Sequence, residues 1–289
     1  MKKSLALGAL TLSGALATLS AHAELTPLGK YSYNFFDGGY SSLVVVGDSS
    51  VMVVDPAWNA RAEALKADIA TLTDKPVSHV VLTHEHYDHV GGTEVFDGAE
   101  IVCQQGCQPI FELDVMNLAP KQVTLTFEDK LDIDLGGVNA QVRYLGAADG
   151  VATSVIYVPA DKVAASADLY LPKALTNRKW IDDKNYLGTR KVLNEMASWD
   201  LQHTVTSHSA DTSLSGLYEN RDYYNDLYSA VKVELDAAMA KGGIGAAFGL
   251  IGGPLSEKVK LPAYENWSGY QQHFPKHIER MAMSILHGG

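Results

Sequence analysis

Four side chains of types that commonly bind metal ions lie within the six-residue segment His84–His89. They are His84, His86, Asp88 and His89, and they directly follow the apolar run of residues 77–82. Since alternate residues of an extended strand share a face, a strand that ends here can direct His84 and His86 to one point. The turn that follows can bring Asp88 and His89 to a second point beside the first. Imidazole nitrogens and carboxylate oxygens are ligands of zinc, and two adjoining sites of this kind form a hydrolytic centre.

The His-x-His-x-Asp-His pattern of this segment resembles the signature of the metallo-β-lactamase fold superfamily, and the resemblance covers roughly residues 30–210. A polar surface loop is the competing interpretation, but four residues that can bind a metal ion, at this spacing after an apolar strand, disfavour it. The resemblance implies a four-layer αββα sandwich with the metal site at one edge. It also implies an acidic residue at the end of an earlier strand. Asp55 follows residues 51–54 and is expected to support a ligand histidine from behind.

The chain departs from the family pattern at three later motifs. Asp149 stands in residues 146–150, where the family has a histidine. The fourth motif keeps its aspartate, Asp168, without the preceding glycine. The fifth motif keeps its histidine, His208, between two serines.

The resemblance implies two adjoining metal sites made from these residues. The first would use His84, His86 and Asp149, the second Asp88, His89 and His208, and Asp168 would bridge the two ions. Asp149 has two interpretations, a carboxylate ligand in place of the histidine or a solvated turn residue beside Gly150. One or two zinc ions are expected. Two histidines and one carboxylate also suit iron(II) or manganese, so these metals are alternatives.

The implied function is hydrolysis of an ester-, thioester-, lactone- or lactam-like small molecule by a metal-bound hydroxide. Asp88 is the predicted catalytic residue, because a ligand beside the water could orient it or accept its proton. The resemblance does not by itself predict β-lactamase activity. Two other functions stay open, namely a degenerate member that binds a metal or ligand without turnover and an iron-containing redox member.

Residues 1–23 have the composition and order of a secretory signal peptide, which predicts a periplasmic or secreted protein. Removing this segment would change the formal net charge from −11 to −13, because it contains two lysines and no acidic residue. An acidic surface disfavours nucleic acid as a partner. No later segment has the length and apolarity of a membrane span. A small-molecule substrate is therefore the expected partner, and the sequence predicts no oligomeric state.

The elements that would position these residues form a layered α/β domain, expected over residues 24–210. Valine-rich runs alternate with turn residues and occasional helical segments, which is typical of sheets covered by helices. Strands are predicted at 42–46, 51–54, 77–82, 100–103, 122–127, 132–133, 138–145, 155–158, 162–166 and 203–207. Helices are predicted at 60–72, with Asn59 as the N-cap, and at 189–199.

From residue 211 the pattern changes to helical spacing with several tyrosines, which predicts a C-terminal helical extension, residues 211–289, packed on the domain. Helices are expected at 217–241 and 271–286, joined by a glycine-rich connector, and His277 is expected at the surface. Cys103 and Cys107 are separated by three residues. They would form a disulfide in an oxidising compartment or stay as two free thiols.

Overall fold

Two β-sheets form the centre of the structure, a computed structural model that describes residues 25–181 and 184–288. The predicted signal peptide of residues 1–23 lies outside the described residues. The first sheet has seven strands in chain order, β1 (Leu25–Pro27), β2 (Ser32–Asp37), β3 (Tyr40–Val46), β4 (Val51–Val54), β5 (Val77–Val81), β6 (Glu100–Gln104) and β7 (Leu125–Phe127). Neighbours are antiparallel from β1 to β4 and parallel from β4 to β7.

The second sheet has five strands, β8 (Lys130–Asp134), β9 (Asn139–Tyr144), β10 (Ser154–Val158), β11 (Val163–Ala165) and β12 (His203–Val205), also in chain order. Its neighbours are antiparallel except for β11 and β12, which are parallel. A parallel pair needs a crossover connection, and the long segment between β11 and β12 supplies one that contains a helix. The polypeptide therefore leaves β11 and returns to β12 in the same direction.

The helices lie outside the two sheets. They are α1 (Asn59–Leu72), α2 (Tyr87–Val90), α3 (Cys107–Phe111), α4 (Tyr186–Met196), α5 (Leu214–Phe248), α6 (Pro254–Lys258) and α7 (Tyr270–His287), with 3-10 turns at Thr93–Val95, Arg178–Trp180 and Pro262–Tyr264. None of the helices in the described ranges combines the length and the apolarity that crossing a membrane would require.

Alternation along the strands divides the apolar residues between two layers of core. On β3, Leu43 and Val45 face the core between the sheets, whereas Val44 packs in the cluster that includes Leu65 of α1. The outer face of the second sheet packs on α4, α5 and α7 through a cluster that includes Val155. Helix, sheet, sheet and helix thus form four layers. The predicted αββα sandwich with a C-terminal helical extension is confirmed.

Several local predictions differ from the structure. Strands β1 and β2 were not predicted, because residues 25–37 contain no valine, the residue that marks most of the other strands. Asn59 is the first residue of α1 and Trp58 is its N-cap, so the N-cap prediction is wrong. Helix α5 continues through the predicted connector as far as Phe248, with a kink at Gly242 and Gly243. Gly243 has φ 66°, a conformation that glycine adopts without steric cost.

His277 and the two cysteines have defined partners in the structure. His277 is buried, with Nδ1 2.9 Å from the Tyr223 hydroxyl and Nε2 3.0 Å from the Thr176 carbonyl oxygen, so its surface prediction is wrong. The spacing of residues around His277 could not predict this burial, because Tyr223 and Thr176 lie in distant segments of the sequence. Cys103 and Cys107 are joined as a disulfide, one of the two alternatives, between β6 and the first residue of α3.

Candidate metal centre

The loops that carry the predicted ligands meet at one edge of the sandwich. Asp55 follows β4, and the segment His84–His89 follows β5, its parallel neighbour. Asp168 follows β11 and His208 follows β12, which also run parallel, while Asp149 precedes β10. Because parallel neighbours end at the same edge of a sheet, the fold brings these distant segments together. All seven predicted ligands lie at this edge.

A first group of ligand atoms comes from His84, His86, Asp149 and Asp168, and these atoms all lie within 4.8 Å of one another. His86 Nδ1 is 3.1 Å and His84 Nε2 is 3.5 Å from Asp149 Oδ2. His84 Nε2 is buried and has no hydrogen-bond partner among the described residues. A buried polar atom without a partner is costly, and a metal ion coordinated at this nitrogen would remove the cost.

A second group comes from Asp88, His89, Asp168 and His208, whose ligand atoms also lie within 4.8 Å of one another. His89 Nε2 lies 2.9 Å from Asp168 Oδ2, and His208 Nε2 lies 3.1 Å from Asp168 Oδ1. Asp168 therefore belongs to both groups and stands where a bridging carboxylate is expected. Its φ of 58° is in the left-handed region, which is sparsely populated and typical of functional sites.

The protonation of the histidines agrees with metal binding. Burial, with the neighbouring His89 and His86, lowers the pKa of His84 to about 3, so its imidazole is neutral and able to coordinate. Burial also opposes the charged form of His89, but the Asp168 carboxylate outweighs it and raises the pKa of His89 to about 9. A metal ion would therefore replace a proton at His89. The donor set, its spacing and the unpartnered His84 nitrogen fit two divalent ions.

Asp55 supports His84 through an intermediate residue, Thr83. Thr83 donates its main-chain N–H to Asp55 Oδ1 at 2.8 Å and its hydroxyl to Asp55 Oδ2 at 2.7 Å. The same hydroxyl oxygen is 3.1 Å from His84 Nδ1. Because the hydroxyl proton points to Asp55, the hydroxyl oxygen accepts a hydrogen bond from His84 Nδ1–H. The lone pair on His84 Nε2 is then available to a metal ion. The supporting contact predicted for Asp55 therefore reaches the histidine indirectly.

We expect Thr83→Val to weaken metal binding while preserving the shape of the strand end. Loss of the hydroxyl removes the acceptor that orients His84, and supporting contacts of this kind change metal affinity by about 10- to 100-fold. A competition titration of the metal-free protein against a chromophoric chelator measures the effect. Thr126→Val on β7, an exposed threonine far along the sheet, is the matched control. Equal affinities for Thr83→Val and the control would contradict the role of Thr83.

Tyr40 lies beside the second group and was not predicted. Its hydroxyl donates to Asp88 Oδ2 at 3.0 Å, and its ring centroid is 4.3 Å from that of His208. Burial, followed by the Asp88 carboxylate, raises the pKa of Tyr40, so the phenol keeps its proton and remains a donor. Trp58 packs edge-on against the same ring at 5.1 Å. Tyr40 and Trp58 together form an aromatic wall beside Asp88.

Glu85 holds the loop that carries Asp149. Its two carboxylate oxygens accept from the main-chain N–H groups of Val151, at 2.7 Å, and Ala152, at 3.1 Å. A Cβ atom added at Gly150 would lie 2.5 Å from Glu85 Oε2, so a larger residue there would displace the carboxylate that accepts these two hydrogen bonds. A residue inside the histidine motif thereby positions the loop of Asp149, about 65 residues later in the sequence.

Lys184, like Tyr40 and Glu85, is a residue of the site that the sequence did not reveal. Its ammonium group contacts Asp149 Oδ1 and the main-chain oxygen of Asp168, and its side chain is 4% exposed. Burial alone would lower the pKa of Lys184, but Asp149 outweighs it and raises the pKa, so the lysine is charged. A lone lysine in a polar segment carries no spacing signal, and only the fold places it here.

Comparisons with known proteins agree with this geometry. The sequence model of the metallo-beta-lactamase superfamily matches residues 35–222. The alpha subunit of 2,4-dinitroanisole O-demethylase from Nocardioides sp. (strain JS1661) is 24% identical over 208 residues, 67% of this chain and 61% of that protein. A UPF0173 metal-dependent hydrolase from Brucella ovis is 31% identical over 106 residues, 32% of this chain and 44% of that protein. The matched part of the chain thus spans less than two thirds of the length of each of these curated relatives.

Solved structures of low sequence identity share the fold. A metallo-beta-lactamase from Pontibacter korlensis superposes with a TM-score of 0.60 at 20% identity, over 70% of this chain and 99% of that chain. The stereoselective inverting sec-alkylsulfatase Pisa1 from Pseudomonas sp. gives a TM-score of 0.70 at 15% identity, over 90% of this chain and 50% of that chain. Together with the family match over more than half of the sequence, these findings show that the chain belongs to the metallo-beta-lactamase superfamily.

Proposed function

We propose that this protein is a secreted or periplasmic zinc-dependent hydrolase that acts on an ester-, thioester-, lactone- or lactam-like small molecule. The observation that carries the proposal is the convergence of seven side chains that can bind a metal ion, four histidines and three aspartates, in two groups that share Asp168. One of them, Asp88, is exposed, so the centre is accessible from solvent. Membership of a superfamily rich in metal-dependent hydrolases supports the same reaction class.

The residues around the centre have separate roles in the proposed reaction. Metal ions held by the two ligand groups would polarise a substrate oxygen and make water acidic enough to attack at neutral pH. Asp88, with one carboxylate oxygen held by the Tyr40 hydroxyl, would orient a water molecule and accept its proton. His84 and His89 stay fixed because they are buried, with Asp168 between them. The carboxylates of Asp88, Asp149 and Asp168 would be engaged as metal ligands, so the water rather than a side chain would attack the substrate.

The aromatic wall of Tyr40 and Trp58 limits the space next to the attacking water. Trp58 is 40% exposed, which leaves an apolar face available to a substrate. Names of related proteins widen the range of bonds to test, since they describe an O-demethylase and an alkylsulfatase. A polyanionic substrate fits least well, because the chain has a formal net charge of −11 and repels negative charge.

An iron-containing redox protein is the second candidate function. His84, His86 and Asp149 favour it, because two imidazoles and one carboxylate suit iron(II) as well as zinc, and manganese also accepts this set. The two candidates differ in which metal the purified protein retains and in whether a reductant changes the reaction.

Metal removal and replacement test the proposed function. The protein is stripped with a chelator, reloaded with zinc, manganese or iron(II), and assayed on esters, thioesters, lactones, β-lactams, alkyl sulfates and aryl methyl ethers. We expect the stripped protein to be inactive and zinc to restore hydrolysis of an ester-like substrate. Asp88→Asn should then lower kcat by about 10²- to 10⁴-fold, because it removes the proton acceptor.

Asp200→Asn is the matched control, since this exposed aspartate pairs with Lys162 away from the centre. Its kcat should equal that of the unchanged protein. Zinc bound without turnover of any substrate would contradict the hydrolase and favour a binding protein. Activity that returns only with iron(II) and reductant would favour the redox candidate.

A further inference from the structure

A buried ion pair lies inside the metal centre at the position where the family pattern has a histidine. We propose that Lys184 and Asp149 act as a matched pair. In this pair Lys184 holds one carboxylate oxygen of Asp149 and leaves the other oxygen for the metal. It also offsets the negative charge that aspartate has and the histidine of the family pattern lacks. Lys184 is thus a positioning residue for the first metal site. The inference rests on the metal centre of the proposed function, but not on which bond the enzyme hydrolyses.

The geometry divides the two oxygens of Asp149 between different partners. Oδ1 contacts the Lys184 ammonium group, whereas Oδ2 faces His86 Nδ1 at 3.1 Å and His84 Nε2 at 3.5 Å. A carboxylate that is shorter than histidine must be aimed to serve as a ligand, and the lysine fixes its orientation. Asp149 is 3% exposed and Lys184 is 3% exposed. Water therefore has little access to replace either partner.

The formal charges of the ligand groups also indicate that Lys184 and Asp149 are a matched pair. Asp88, Asp149 and Asp168 contribute three negative charges to the two ligand groups, and Lys184 reduces their sum to −2. With a neutral histidine at position 149 and no lysine, the two other aspartates would also give −2. The pair therefore keeps the formal charge that two divalent cations meet in the family pattern. An unpaired buried ammonium group beside those cations would be strongly unfavourable.

The fold holds Lys184 from two sides. Asn185 donates its main-chain N–H to the Ala148 carbonyl oxygen at 2.7 Å, which ties the lysine to the loop that carries Asp149. From α7, Arg280 Nε donates to the Lys184 carbonyl oxygen. The neighbouring Tyr186 N–H donates to Ser284 Oγ of the same helix at 3.2 Å. The C-terminal extension therefore contributes to the metal centre by fixing this lysine.

A double-mutant cycle with zinc tests the pair. The unchanged protein, D149H, K184M and D149H/K184M are stripped of metal, titrated with zinc and measured for bound zinc and dissociation constants by chelator competition. We expect the unchanged protein to bind two ions per chain. D149H should bind zinc at the first site much more weakly than the unchanged protein, because the lysine is then unpaired beside the metal. The double variant should bind two ions again, with a first-site dissociation constant at least about 10-fold lower than that of D149H.

Thermal unfolding of K184M gives a second readout. Removing the lysine should lower the melting temperature of the metal-free protein more than that of the zinc-loaded protein, because zinc supplies the missing positive charge. Lys232→Met is the matched control, since Lys232 pairs with Asp236 on the exposed face of α5. It should leave both zinc binding and the difference in melting temperature unchanged. If K184M does not fold without metal, the comparison of D149H with the double variant decides.

Three results would overturn the inference. The first is that D149H binds two zinc ions with unchanged affinity. The second is that the double variant binds zinc no more tightly than D149H. The third is that K184M lowers the melting temperature equally in the metal-free and the zinc-loaded protein. Absence of zinc binding in the unchanged protein is a different outcome. It would contradict the proposed metal-dependent function itself.

Discussion

Asp168→Asn is expected to abolish the paired metal centre and nearly all activity. The substitution keeps the size of the side chain, and asparagine tolerates the left-handed backbone at φ 58°. It removes the negative charge that His89 and His208 contact from either side, at 2.9 and 3.1 Å. Residues that merely support a ligand already change affinity or activity by about 10- to 100-fold, so loss of a bridging carboxylate should lower kcat/KM at least ~1,000-fold.

Bound metal is the direct readout for Asp168→Asn, and we expect it to fall from two ions per chain to one or none. Asp161→Asn is the matched control. Asp161 is also buried, but it lies at the other end of β10 and accepts from the main-chain N–H groups of Lys30, Tyr31 and Ser32. Its replacement should reduce stability and leave the metal content intact. Two ions retained by Asp168→Asn would show that Asp168 is not a shared ligand.

Arg61→Met is expected to give the largest loss of stability. Arg61 on α1 is 1% exposed, and its guanidinium donates to four main-chain oxygens and to Ser42 Oγ. Each hydrogen bond from a charged donor contributes about 1.5–3 kcal/mol. Since water can enter to satisfy some of the acceptors, we expect the free energy of unfolding to fall by about 3–5 kcal/mol. Urea denaturation of the two proteins measures the difference.

The same substitution should disturb the metal centre at a distance. Arg61 Nη2 donates to the Tyr40 carbonyl oxygen at 2.8 Å, and Nη1 donates at 2.8 Å to Ser42 Oγ, which in turn donates to the Asp55 carbonyl oxygen. We expect a lower kcat for this reason, even in zinc-loaded protein that is fully folded. Arg221→Met, which removes a partly exposed arginine paired with Asp222, should change stability by less than about 0.5 kcal/mol. Equal losses in the two variants would contradict the role given to Arg61.

The sequence predicted those parts of the structure that leave local patterns. Valine-rich runs marked β3, β4 and the buried end of β5, because a strand segment buried on both faces consists mostly of apolar residues. The segment His84–His89 predicted a metal centre because its ligand types are adjacent. Asp168 and His208 could be added only through the resemblance to a family, since neither position is special by itself. The structure brings all of them to one edge.

The residues that support the ligands could not be predicted in this way. Tyr40 meets Asp88 across 48 residues of sequence, and Lys184 meets Asp149 across 35. Neither contact follows from a period of two or of 3.6 residues, because each depends on how two layers pack. The choice between ligand and loop residue for Asp149 likewise depended on its surroundings. Its burial against Lys184 and His86 is a tertiary property that no local pattern contains.

An anomalous-diffraction map, recorded at a metal absorption edge on crystals of protein purified without added metal, would locate the metal ions. We predict two peaks per chain. One should lie among His84, His86, Asp149 and Asp168 and the other among Asp88, His89, Asp168 and His208, each about 2.0–2.2 Å from its ligand atoms. A single peak, a peak elsewhere or no peak after zinc soaking would contradict the paired metal centre on which the proposed hydrolysis depends.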